Sequence, residues 1–184
     1  MIKEVISAKI ENMVAAITLN RKLDLEKLAK LESSAIYNPK KFPGIIYRIP
    51  KPKLGTLIFN TGKVICSGAK SREDIDKGLK KLVAKLKEKK IKIEGKPEIK
   101  VQNIVASANL GFKVNLDLVA MECENTEYEP EQFPGLVFRI DNPKTVMLVF
   151  SSGKIIVTGA KTPADATRAA NITREIIKEY KISE

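Results

Sequence analysis

Bond-making chemistry in proteins most often starts from histidine, a reactive cysteine or paired carboxylates, and this chain offers little of it. Among its 184 residues there is no histidine. That removes the commonest metal ligand, the usual general base near neutral pH and every Ser-His or Cys-His pair. The two cysteines, Cys66 and Cys123, fit neither a metal-ligand spacing nor a disulfide framework. Cys66 reads as a small apolar core residue. No catalytic residue, metal or cofactor is assigned. What does stand out is a set of side chains that occurs twice at one offset (103 − 12 = 91). It pairs Asn12 with Asn103, Ser67 with Thr158, Arg48 with Arg139, Lys63 with Lys154, Lys70 with Lys161, Phe42 with Phe133 and Phe59 with Phe150. The amides and hydroxyls exchange hydrogen bonds, and the cations fit phosphates, contacts that position a protein on a polyanion without reading its sequence.

The elements that must hold these residues are duplicated as well. Phe42–Ser71 returns as Phe133–Thr162 without a gap, with 15 of 30 positions identical. A period near ninety residues exceeds any solenoid unit, so two half-domains are expected, residues 1–93 and 94–184, within one continuous domain. Lys9–Leu19 and Lys100–Leu110 alternate as strands, with Asn12 and Val14 on one face and Asn103, Val105 and Ser107 on the matching one. An amide returning at the same place in both halves marks a face that needs one. Asp24–Glu32 reads as a helix capped by Asp24, and Asn115–Glu122 as its weaker copy. Ile45–Ile49, Gly55–Phe59 and Lys63–Ser67 read as a tight antiparallel meander, repeated at Leu136–Ile140, Val146–Phe150 and Lys154–Thr158. Ser71-x-x-Asp74 and Thr162-Pro163-x-Asp165 open helices, and the first runs to about Lys90. Helices can cover one sheet face only. The other is also apolar, through Val14, Leu57, Phe59, Ile65 and their mates. Such a face is an oligomer interface or a binding surface. Periodicity alone leaves Phe59 and Phe150 open between core and that surface.

Composition narrows the partner. The net charge is +11, which favours a polyanion. Residues 1–95 carry 22 − 10 = +12 and residues 96–184 carry 11 − 12 = −1, so the halves share a pattern but not an electrostatic surface. No apolar run approaches the roughly 20 residues of a membrane helix, and charges interrupt the apolar pattern at the N-terminus. The chain reads as soluble and intracellular, in the cytoplasm or at the nucleoid.

The paired FPG-x-x-x-R-I, P-K-x-x-x-L-x-F, x-x-G-K and G-A-K blocks resemble the core domain of the TATA-binding protein family, from about Lys9 to Tyr180 and in the right order. Without a long N-terminal extension, the archaeal or minimal-core form is the nearer likeness. The resemblance implies an α+β saddle: a pseudo-two-fold pair of repeats, one curved antiparallel sheet, helices on the convex face and DNA on the concave one. It implies a general transcription initiation factor that engages double-stranded promoter DNA, transcription factor B and the RNA polymerase assembly, and no enzyme activity. A·T pairs offer only acceptors in the minor groove, whereas G·C adds an amino donor. By the resemblance, Asn12, Asn103, Ser67 and Thr158 would hydrogen-bond base edges there. Val14, Val105, Ile65, Ile156, Leu57 and Leu148 would pack on bases and sugars. Phe42 with Phe59, and Phe133 with Phe150, would wedge into base steps. The kink of about 80° associated with such wedging is the family's own value. Arg48, Arg139, Lys63, Lys154, Lys70 and Lys161 would take phosphates. Glu129 and Glu131 would face a basic partner, transcription factor B.

One residue departs from the family pattern. Glu11, mate of Gln102, stands where a neutral amide is usual, and a carboxylate there would repel phosphate unless turned away. Three competing readings differ in observable ways. An architectural bender would bind A·T and G·C duplexes equally. An enzyme would need a carboxylate pair or a pocket lysine. An apolar face serving only a dimer would not bind DNA, although dimerisation without DNA could coexist with DNA binding.

Overall fold

The computed structural model describes residues 5–182; the first four residues of the charged N-terminal stretch lie outside them. The chain forms two compact units, Asn12–Gln102 and, for the other, Met1–Glu11 with Asn103–Glu184. The division falls inside two strands rather than in the polar segment Lys89–Pro97.

In the first of these units, β1 (Lys9–Thr18) enters from the other unit's first residues. It is followed by α1 (Leu25–Leu31), β2 (Ile45–Ile49), β3 (Leu54–Ile58), β4 (Lys63–Ala69) and α2 (Arg72–Glu88). The strands pair antiparallel in the order β2-β3-β4-β1. Both helix starts are those expected: Asp24 accepts from the Lys27 N–H and Ser71 from the Asp74 N–H, satisfying donors a helix cannot pair internally. α2 packs on β2 and β4. Ile45, Ile58 and Val64 of the strands and Ile75, Leu82 and Leu86 of the helix are all buried, each contributing about 1.5–3 kcal/mol by leaving water.

The other unit repeats this plan with β5 (Glu98–Asn109), α3 (Leu116–Glu122), β6 (Thr126–Glu127), β7 (Leu136–Ile140), β8 (Thr145–Val149), β9 (Lys154–Ala160) and α4 (Pro163–Ile177), then a 3₁₀ turn at Lys178–Tyr180. Its strands run β5-β9-β8-β7-β6. α4 lies on β8 and β9, and its buried side is mostly alanine: Ala166, Ala169 and Ala170.

Several boundaries differ from the sequence reading: β4 and β9 run on to Ala69 and Ala160 rather than ending at Ser67 and Thr158, and α2 ends at Glu88. β3 is Leu54–Ile58 rather than Gly55–Phe59, and β8 shifts likewise, because Phe59 and Phe150 already form the following turns through bonds to Lys63 and Lys154. β6 was not expected; two residues carry no alternation to detect. Among the described residues, no helix is long and apolar enough to cross a membrane, and no cluster of three metal-ligating side chains occurs.

Candidate nucleic-acid interface

In each unit the helices cover one sheet face and leave the other without a cover of its own. Along β3 and β4 burial alternates: Leu54, Thr56, Ile58, Val64 and Cys66 are buried, Leu57, Ile65 and Ser67 half-buried. Cross-strand pairing aligns the open face into rows. One row is Ala16–Ile65–Leu57–Ile46, matched by Ser107–Ile156–Leu148–Val137. The next is Ser67–Gly55–Arg48, matched by Thr158–Val146–Arg139. Leu57, Ile65, Ser67 and Arg48 therefore lie on one face of their unit, and Leu148, Ile156, Thr158 and Arg139 on one face of theirs.

Where β1 meets β4 the register slips: Met13 faces Ala69 and Ala15 faces Cys66, so Val14 alone stands against Ser67 and Gly68. β5 and β9 do the same around Val105, Thr158 and Gly159. The extra residue has φ +94° at Gly68 and +92° at Gly159, a backbone that side chains resist. These bulges set the asparagines. The Gly68 N–H donates to Asn12 Oδ1 at 2.7 Å, and the Gly159 N–H to Asn103 Oδ1 at 2.7 Å. A backbone N–H can only donate, so the bonded atom must be the carbonyl oxygen, and each Nδ2 is left as the donor end. Asn103 Nδ2 has Thr158 Oγ1 at 3.4 Å. The sequence repeats showed that an amide was needed; the bulge shows which end is spoken for.

The phenylalanines sit in two pairs, one in each unit. Phe42 and Phe59 have ring centroids 5.8 Å apart at 64°, Phe133 and Phe150 5.9 Å at 67°, the edge-to-face arrangement aromatic quadrupoles favour. The rings overlie glycine backbone. A Cβ on Gly44 would stand 2.9 Å from Phe42 Cε1 and 3.2 Å from Phe59 Cε1; on Gly135, 2.7 Å from Phe133 and 3.1 Å from Phe150. The glycine of Phe-Pro-Gly thus seats both rings. Phe133 is 40% exposed, and Phe42, Phe59 and Phe150 are half-buried, so none of the four is a closed core residue.

Arg48, Lys63, Lys154, Lys70 and Lys161 are all exposed. The Lys70 backbone N–H donates to Asp74 Oδ2 at 3.0 Å at the start of α2. Arg139 departs from its mate: its guanidinium pairs with Glu127 at 3.0 Å, where the repeat position of Glu127 is Ile36 (127 − 91 = 36). The pair is half exposed and worth at most about 1 kcal/mol, so a phosphate can displace it. Glu11 accepts from Ser107 Oγ at 2.7 Å, which engages one of its oxygens. Glu129 and Glu131 are exposed in the turn that delivers Phe133, whose N–H bonds the Glu129 carbonyl. Away from this face, burial pushes the Cys66 thiol up to about 11, so it is an inert core group.

Sequence reasoning missed the two bulges, the ion pair of Arg139 and the Ser107–Glu11 bond. The repeated Gly-Ala-Lys blocks carried the only signal for the bulges.

Comparison with known proteins gives three results. A family model described as "Transcription factor TFIID (or TATA-binding protein, TBP)" matches residues 7–89 and again 98–180, the same offset as the internal repeat (98 − 7 = 91). The TATA-box-binding protein of Methanocaldococcus jannaschii is 48% identical over 171 residues, 93% of each chain. That of Archaeoglobus fulgidus is 48% identical over 92% of this chain and 94% of its own. The solved structure titled "Methanococcus jannaschii TBP" superposes with a TM-score of 0.89 at 47% identity, covering 94% of this chain and 99% of that one. The expected α+β class, with two repeats of antiparallel strands and helices, stands.

Proposed function

The chain belongs to the TATA-binding protein family, a family of transcription factors rather than enzymes, and from that premise and the geometry above we propose that it binds A·T-rich promoter DNA in the minor groove. The observation that carries the reading is the pair of amides whose oxygens are held by the Gly68 and Gly159 N–H groups. Each presents N–H donors beside the apolar rows of its face. The minor groove at A·T pairs shows only acceptors, adenine N3 and thymine O2, while guanine N2 puts a second donor in the way. A donor on an apolar surface therefore favours A·T and disfavours G·C.

The rest of each open face fits one half-site. Val14, Leu57 and Ile65, with Val105, Leu148 and Ile156, pack on sugars and base edges beside Ser67 and Thr158. The phenylalanine pairs, seated on Gly44 and Gly135, enter base steps at the ends of the site. Unstacking costs a few kcal/mol per step, offset by the extra groove surface a bent duplex brings into contact; this family is itself a standard example of that exchange. Arg48, Arg139, Lys63, Lys154, Lys70 and Lys161 neutralise phosphates. The acidic turn at Glu129 and Glu131 offers a basic partner a docking point, which fits transcription factor B and, through it, RNA polymerase.

Competition titration tests the reading. An A·T-box duplex is expected to bind at least tenfold more tightly than a duplex with the box replaced by G·C pairs, at both 50 and 200 mM salt on the order used for such titrations. Equal affinity for the two would leave a non-specific architectural binder.

A further inference from the structure

Gly55 breaks the match between the two open faces. It lies in the middle of β3, between Ser67 on one side and Arg48 on the other. A glycine inside a strand weakens it, through lost entropy and the missing side chain, and such a residue calls for a reason. Its backbone supplies none, since its φ is outside the left-handed region where glycine is required. Packing supplies none either: a Cβ placed there would meet only Ser67 Oγ, at the ordinary distance of 3.4 Å. The space is open and joins a concavity of about 440 Å³ that includes Arg48 and Lys53. The remaining reason for a strand glycine is close approach by something outside the chain.

The repeat shows what is removed. At the mate of Gly55 stands Val146, and at the mate of Ser67 stands Thr158. The row in one unit is therefore Arg139–Val146–Thr158, and in the other Arg48–Gly55–Ser67, which lacks an isopropyl group and a methyl group. The hydroxyls differ too. Thr158 Oγ1 has Asn103 Nδ2 at 3.4 Å, whereas Ser67 Oγ makes no side-chain hydrogen bond to another described residue and can accept one.

We propose that Gly55 and Ser67 form a notch that accepts the exocyclic amino group of a guanine, so that one half-site tolerates a G·C pair where the other does not. The inference rests on the minor-groove reading above. Guanine N2 is the only group that distinguishes G·C from A·T in that groove. The notch supplies both room for it and an acceptor, Ser67 Oγ, while Val146 and the Thr158 methyl fill the same place in the other unit. A box carrying one G·C pair opposite the notch is thereby bound in a single direction.

The test is a panel of duplexes with one G·C pair moved through each position of an A·T box, titrated against the natural chain, Gly55→Val and Val146→Gly. The readout is each duplex's affinity relative to the all-A·T duplex for the same protein. For the natural chain, one position is expected to cost less than about threefold and its mirror position at least about tenfold. Gly55→Val is expected to worsen the tolerated position by about tenfold, and Val146→Gly to relieve the mirror position. A profile unchanged in both variants overturns the notch. Failure of the natural chain to bind even the all-A·T duplex overturns the minor-groove reading instead, so the two failures are separable.

Discussion

Replacing Asn103 by aspartate isolates the donor that the proposed function depends on. Aspartate has the same shape, and one of its oxygens can still accept from the Gly159 N–H, now 2.7 Å from Asn103 Oδ1. The bulge keeps its partner, and the fold is expected to survive with little change in Tm. What is lost is the donor end. Against adenine N3 or thymine O2, the substitution removes a hydrogen bond worth about 1 kcal/mol net and leaves acceptor facing acceptor at about 1–3 kcal/mol more. Together that is about 2–4 kcal/mol, or about 30- to 700-fold in affinity. Fluorescence anisotropy with a labelled A·T-box duplex measures it, beside a thermal melt of the free protein. Asn103→Ala is the contrasting variant, since it strands the Gly159 N–H and is expected to lower stability as well as binding. If Asn103→Asp holds the A·T duplex within about twofold of the natural chain while melting normally, the amide is only a brace for the bulge and the donor reasoning is wrong.

Three further outcomes follow from other parts of the structure. Gly135→Ala places a Cβ 2.7 Å from Phe133 Cε1 and 3.1 Å from Phe150 Cε1; overpacking of this kind costs about 1–3 kcal/mol, and a melt together with a bending assay should show a modest loss of stability and a larger loss of bend. Lys63→Ala with Lys154→Ala should reduce the slope of log affinity against log salt by about 1.8, since each phosphate contact contributes about 0.9; an unchanged slope would show that these lysines do not meet phosphate. Glu32 is held below its ordinary 4.5, chiefly by the Ser34 hydroxyl and also by Lys85. Its folded-state pKa is the lower one, so its contribution is present above pH 4.5 and disappears as pH falls through the folded value. The contribution is solvent-screened and under about 1 kcal/mol. Glu32→Gln should therefore melt slightly earlier than the natural chain at pH 7, by a margin that narrows as the pH is lowered below 4.5.

Much of the fold was legible because the duplication supplied two readings of each element. Asp24, Ser71, Asn115 and Thr162 cap the helices as their positions imply. The alternation of Leu54–Ile58 and Lys63–Ser67 separated a buried face from an open one. The strand ends at Phe59 and Phe150 were not legible, because a residue can keep strand alternation while its backbone already belongs to a turn. The bulges were hidden for a related reason: Gly68 and Gly159 interrupt the register by one residue, and only the pairing of Met13 with Ala69 and Ala15 with Cys66 exposes it. Ion pairs such as Arg139–Glu127 depend on a cross-strand approach between β6 and β7 that spacing along the chain does not encode. The differences between repeats proved as informative as the matches, since Gly55 against Val146 has meaning only once both are known to lie in one row.

The most direct test of the central claim is the bend itself, read by energy transfer between dyes at the two ends of an A·T-box duplex. A duplex with the box changed to G·C is the control, and the chain carrying Phe133→Ala with Phe150→Ala is the comparison protein. End-to-end shortening is expected on the A·T duplex alone, and it is expected to be lost in the double variant. Equal binding to both duplexes with no shortening on either would contradict that claim.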